Sequence, residues 1–111
     1  MRILHSLFIL IVFIFHTFYV FAVLNEGYAF RSLDINNGLS QNTVHAILQD
    51  KQGFMWFGTK DGLCRFDGYD VKVFRSSALT PGKLTSNEIR CIAEDNYQHL
   101  WVGTFEGINI V

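Results

Sequence analysis

Two hydrophobic patterns divide the chain. From Ile3 to Leu24 the run "ILHSLFILIVFIFHTFYVFAVL" contains no charged residue. Beyond it, apolar and polar positions alternate in short stretches separated by Gly, Asp and Asn. An unbroken apolar run that long can cross a bilayer as a helix, which takes about 20 residues. Alternation with period two instead puts successive side chains on opposite faces of a strand. The first part predicts one apolar helix; the remainder predicts β-structure.

The strands can be read in order. In "TVHAILQD", Val44, Ala46 and Leu48 share one face, and His45, Ile47 and Gln49 the other. "DKQG" then predicts a tight turn in which the Asp50 side chain caps backbone N–H groups and Gly53 takes positive φ. In "FMWFGT", Phe54 and Trp56 point one way, Met55 and Phe57 the other. Both faces are apolar, so this strand needs cover on both sides, as in a sheet stacked between two others. Gly58 stands where the alternation calls for a side chain, which predicts a bulge or the close approach of a neighbour. "KDG" turns again with Gly62 in a left-handed conformation. "LCRFD" reads as a third strand and "YDVKVFR" as a fourth, with Lys72 exposed. "SSALTPGK", residues 76–83, reads as a loop.

After that loop the phrase starts again. "GFMWFGTKDGL" (53–63) returns as "QHLWVGTFEGI" (98–108), a shift of 45 positions without a gap. Leu39, Asn42, Ile47, Asp50, Trp56, Gly58, Thr59 and Gly62 fall on Leu84, Asn87, Ile92, Asp95, Trp101, Gly103, Thr104 and Gly107. Chance would supply roughly two such identities over this stretch at ordinary residue frequencies. The second copy departs at "DNYQ" (95–98), which lacks the glycine found at Gly53. A different or strained turn is expected there.

Four short antiparallel strands in about 45 residues make the unit of a β-propeller blade. Helical repeats of similar period need a 3.6-residue pattern and few internal glycines, and neither is present. The fold class expected is all-β: a partial β-propeller, with one complete four-stranded blade and most of a second, after an N-terminal hydrophobic helix. The segments are 1–22, signal peptide or uncleaved anchor; 23–38, a lead-in with a strand in "GYAFRSLDI"; 39–83, the first repeat; and 84–111, the second, stopping inside its third strand. That stop predicts a truncated product, since fewer than three repeats rarely bury a stable core.

Charge and composition narrow the reading further. Arg2 is the only charge before the apolar run, and Ala22 is a small residue near its end; this is a secretory pattern, with an uncleaved anchor as the rival. Either way the following residues are exported. Setting Arg2 aside, eight basic residues face ten acidic ones, which argues against a nucleic-acid or anionic-membrane surface. Cys64 and Cys91 match no metal spacing; each reads as a small buried hydrophobe, while export makes a disulfide chemically accessible. Asp61 and Glu106 recur at equivalent turn positions, which suits turn chemistry better than a catalytic pair. His5, His16, His45 and His99 lie in the apolar segment or in and beside strands, and none reads as a phosphoacceptor. No catalytic residue, cofactor or metal site is expected.

The series Gly38-Leu39-Ser40, Asn42, Val44, Ile47, Asp50, Gly53, Trp56, Gly58-Thr59 and Gly62-Leu63 resembles the two-component regulator propeller repeat. Leu84, Asn87, Ile89, Ile92, Asp95, Trp101, Gly103-Thr104 and Gly107-Ile108 resemble it a second time. The resemblance implies the periplasmic sensor region of a Bacteroidetes-type hybrid two-component system. It implies further blades from the same parent chain, a homodimer, an oligosaccharide ligand, and a membrane-attached histidine kinase that is absent from this sequence. The repeated Asn, Asp, Trp, Gly and Thr residues read as structural. Trp56 and Trp101 are expected to pack between blades, with sugar stacking as the alternative. A secreted binding scaffold and, less favoured, a propeller lyase or hydrolase are the rival functions.

Overall fold

The computed structural model describes residues 1–23, 27–77 and 83–111, with side chains except those of 18–23. Two units make up the chain, Met1–Arg31 and Ser32–Val111. The first contains helix α1, Arg2–Val23. Its apolar side chains from Ile3 to Phe15 are exposed. The few polar groups are tied to the helix itself: Ser6 and Thr17 hydroxyls donate to carbonyls three or four residues back. Among the described residues no helix is long and apolar enough to cross a membrane.

The strand expected in "GYAFRSLDI" does not form. Residues 27–33 carry no strand, and a 3₁₀ turn follows at Ile35–Asn37. The reason is local. Asp34 accepts from the Asn36 N–H, and the Asn37 side chain accepts from the Asp34 N–H, a capping box that bends the chain. Gly38, at φ 107°, ends the turn.

Among the described residues, seven strands follow in two antiparallel sheets. The first sheet has the order β1 (Val44–Gln49), β2 (Met55–Thr59), β3 (Gly62–Phe66) and β4 (Val71–Phe74). The second has β5 (Ile89–Glu94), β6 (Leu100–Thr104) and β7 (Gly107–Ile110). Each strand pairs with its neighbour in sequence, the meander of a propeller blade. This is the expected partial propeller of one full blade and three strands of a second. Most of the expected 76–83 loop, at 78–82, lies outside the described residues.

Registers repeat as closely as the sequence does. Trp56 lies opposite Leu48 on β1 and Arg65 on β3; Trp101 lies opposite Ala93 and Ile110. A register irregularity falls between Val44 and Ala46, and again between Ile89 and Cys91. The bulge expected at Gly58 therefore sits on the partner strand, and the close approach expected there is also present. A Cβ on Gly58 would lie 2.5 Å from Ile89 Cγ2, so glycine is what lets the second sheet settle on the first.

The core is the seam between the sheets. Trp56 and Leu63 of the first sheet pack with Ile89, Leu100 and Val102 of the second and with Leu84, which precedes β5. Leu48, Phe54, Phe74 and Ile92 close its margins. Burying aliphatic side chains such as Leu63, Ile89 and Val102 fully stabilises by roughly 1.5–3 kcal/mol each.

Candidate functional site

The repeated residues form three small devices, each built twice. The first joins Asp to Trp. Asp50 Oδ1 accepts from the Gln52 and Phe54 amides, at 3.0 and 2.9 Å, which closes the β1–β2 turn. Its other oxygen accepts from Trp56 Nε1 at 2.8 Å. Asp95 does the same with the Tyr97 and His99 amides and with Trp101 Nε1 at 2.9 Å. One carboxylate thus sets the turn and fixes the indole's orientation. The bond from the Trp101 indole comes first in holding the Asp95 carboxyl down at about 2, aided by the two amides and the His99 ring. Sequence reasoning assigned the Asp to the turn and the Trp to packing. The six-residue spacing shared by 50/56 and 95/101 was the signal that joins them.

The second device belongs to Thr. Thr59 Oγ1 donates to the Gly62 carbonyl and accepts from the Asp61 amide. Ser40 and Thr59 hydroxyls lie 2.8 Å apart, and since Thr59 has spent its proton on Gly62, Ser40 is the donor. Thr104, Gly107, Glu106 and Thr85 repeat this arrangement. Thr59 is completely buried, and the network leaves no polar atom there unsatisfied.

The third device is Asn at the start of each repeat. Asn42 Oδ1 accepts from the Ile35 amide and Asn87 Oδ1 from the Ser76 amide. Each Asn pins the segment that leads into its own sheet. Backbone bonds then tie the two sheets: the Gly62 amide donates to the Asn87 carbonyl, and the Lys51 amide to the Glu94 carboxylate. The two glycines of the turns, Gly53 and Gly62, take φ 93° and 120°. In the second copy Gln98 stands in for Gly53 at φ 65°, which is the strained turn expected from "DNYQ".

Several expected residues are not brought together. Asp61 and Glu106 lie on turns of different sheets, and Asp61 faces Arg75 at 3.4 Å. His45 is exposed on β1, while His99 Nδ1 lies 3.1 Å from Asp95 Oδ2. Among the described residues no group of three or more His, Cys, Asp or Glu could hold a metal ion. The two cysteines are free and unlike. Cys64 is buried beneath Ser40, as expected of a small hydrophobe, but Cys91 is exposed. Cys91 sits opposite Gly103, on a sheet face that none of the described residues covers, so small size and apolar setting did not bury it.

Two open spaces border the seam. A groove of about 520 Å³ lies among Trp56, Phe74, Leu84 and Ile110, with Lys72, Arg75 and Lys83 around it. It runs beside β7, the outer strand of this sheet among the described residues. A smaller hollow of about 130 Å³ lies between the two Asp-Trp turns, lined by Asp50, Lys51 and Glu94.

Known proteins carry the same construction. The two-component regulator propeller model matches residues 38–61 and 83–106, the two segments that hold these devices. Histidine kinase P4 of Formosa agariphila is 45% identical over 53 residues, covering 48% of this chain and 4% of that protein. The extracellular domain of the hybrid two-component system BT3049 from B. thetaiotaomicron superposes with a TM-score of 0.63 at 37% identity, over 70% of this chain and 11% of that one. The extracellular domain of BT4673 from the same organism gives a TM-score of 0.60 at 30% identity, over 76% of this chain and 12% of that one. The chain therefore spans only a small part of each of these relatives. In its two matched segments the chain is similar to the two-component regulator propeller repeat, and its fold resembles part of the extracellular domains of hybrid two-component systems.

Proposed function

We propose that this chain supplies the opening blades of an exported sensor propeller in a hybrid two-component system. The observation that carries the reading is the pair of stacked sheets, built on one repeat, whose solved relatives are extracellular domains of such systems. Residues 1–22 act as the signal peptide or anchor, and the blades lie in the periplasm, held at the inner membrane by the parent protein. Further blades of that parent complete the propeller, which works as a homodimer. Its ligand is an oligosaccharide. Binding favours one packing of the dimer and so shifts the kinase equilibrium inside the cell. No residue described here is assigned a catalytic role, and the secreted-scaffold reading has no observation of its own in its favour.

The test is genetic. The gene for this chain is deleted in its host, and transcripts are compared with and without a set of plant and algal oligosaccharides. Loss of induction of glycan-degrading genes for at least one sugar is expected; unchanged induction for every sugar would remove the sensor reading. Alkaline phosphatase fused after Val111 should be active in the periplasm, and an inactive fusion would contradict export.

A further inference from the structure

The repeat copies its backbone more closely than its surface. At one end of each sheet, the turn between the second and third strands meets the segment that leads into the first. The Lys60 amide donates to the Thr43 carbonyl in the first copy, and the Phe105 amide to the Glu88 carbonyl in the second. The corresponding side chains differ: Thr43, His45 and Lys60 in the first copy, Glu88, Arg90 and Phe105 in the second. The fold therefore does not call for what the second copy places there.

Glu88 and Arg90 form an ion pair at 2.8 Å. The Arg90 guanidinium lies over the Phe105 ring, 5.7 Å from its centroid. The ring is otherwise open, with Phe105 68% exposed. The backbone beneath is pinned: Thr104 closes the turn, and the Ser86 hydroxyl accepts from the Glu88 amide. Stacking of a further sheet does not decide this exposure. Propeller sheets cover one another by their faces, and this cluster lies at the end of a sheet. In the first copy, where the second sheet is in place, Lys60 at the same turn position is exposed all the same.

We propose that Phe105, Arg90 and Glu88 form a contact site for one pyranose ring of a neutral oligosaccharide. A pyranose is apolar on its C–H face and ringed by hydroxyls, so it suits an aromatic plate with a few polar groups beside it. The Phe105 face away from Arg90 is the plate. A guanidinium only donates and a carboxylate only accepts, and hydroxyls do both. The two charges cancel, so an anionic sugar would have to displace Glu88 from Arg90. Arg90 also holds the ring in place before a ligand arrives, which lowers the ordering cost of binding. This proposal rests on the sensor reading and gives its ligand a point of contact.

The experiment is made in the host, on the chromosomal gene, so that the protein keeps its own context. The probes are xylotetraose, mannotetraose and laminaritetraose, with tetragalacturonate as the anionic comparison. Transcript levels are followed against sugar concentration, and protein levels by immunoblot. Phe105→Lys installs the residue that the first copy carries at this turn. It should raise the half-maximal concentration of the inducing neutral sugar by about tenfold, the share of one stacked ring, at unchanged maximal response. Phe105→Tyr should respond like the wild type, Glu88→Gln should shift less than Phe105→Lys, and Lys60→Ala should not shift. A Phe105→Lys strain responding at the wild-type concentration, or losing only maximal response, would overturn the site while leaving the sensor reading intact. So would an equal shift in Phe105→Tyr, or induction by tetragalacturonate alone. Wild-type cells that respond to none of the four sugars would remove the sensor reading and the site together. Should Phe105→Lys fail to accumulate, Phe105→Leu, which keeps an apolar side chain and loses the aromatic face, is read in its place.

Discussion

The two sheets share a motif but not an environment. Trp56 and Trp101 make the same bond to an Asp six residues earlier, at 2.8 and 2.9 Å, yet one is 7% exposed and the other 41%. Leu63 is 1% exposed and its counterpart Ile108 is 69%. Hydrogen bonds inside a blade are therefore local properties that any copy of the repeat reproduces. Burial belongs to the pair of blades, because one sheet supplies the cover for the other.

That separation can be broken at the seam, with the largest effect first. Ile89→Ala removes the knob that fills the space over Gly58 and should cost about 3 kcal/mol in urea unfolding followed by tryptophan fluorescence. Val44→Ala, at the half-buried counterpart, should cost less than half as much. Equal losses would mean that the two faces are equally covered. Gly58→Ala forces a Cβ against Ile89 and should cost about 2 kcal/mol by the same measurement. Gly103→Ala meets only the Cys91 sulfur, which can rotate into open space, and should cost well under 1 kcal/mol.

The Asp-Trp device sharpens the comparison from the other side. Asp50→Asn withdraws the acceptor from a buried indole N–H, and an unsatisfied donor there should cost about 2 kcal/mol. Asp95→Asn leaves an indole that water can reach, so its loss should be measurably smaller. Gln98→Gly relieves a left-handed non-glycine residue and should stabilise by about 0.5 kcal/mol, after the added flexibility of the unfolded chain is set against it. A destabilised Gln98→Gly variant would show that the side chain, and not the backbone angle, matters at this turn.

The smallest effect is on acid stability. The Asp95 carboxyl is depressed to about 2, chiefly by the Trp101 indole N–H. A depressed carboxylate adds stability that is fully present above its unfolded value, about 3.9, and is lost as pH falls towards the folded value. Trp101 fluorescence, read in a Trp56→Phe background, should therefore change between about pH 4 and pH 2. The same scan on Asp95→Asn should lose that step, and a step that persists would assign it to another carboxylate.

Much of this was legible before any coordinates. The period of 45, the strand alternation, the positive φ at Gly53 and the missing glycine at Gln98 all follow from residues near each other in the chain. The lead-in misled because "GYAFRSLDI" has the alternation of a strand, while the Asp34 capping box, a feature of only four residues, turned it instead. Cys91 misled for a different reason. Its neighbours are as apolar as those of Cys64, but among the described residues no sheet lies over its face.

Local chemistry is written in the order of residues: an Asp two positions before an amide and six before an indole finds both whichever blade it belongs to. Cover is different in kind. Whether a Trp, a Cys or an Ile at a given repeat position is buried depends on a second surface that comes from elsewhere in the fold. Identical motifs cannot encode that difference, and here the stacking of one sheet on the other decided it, through the single side chain of Ile89 set over the missing one of Gly58.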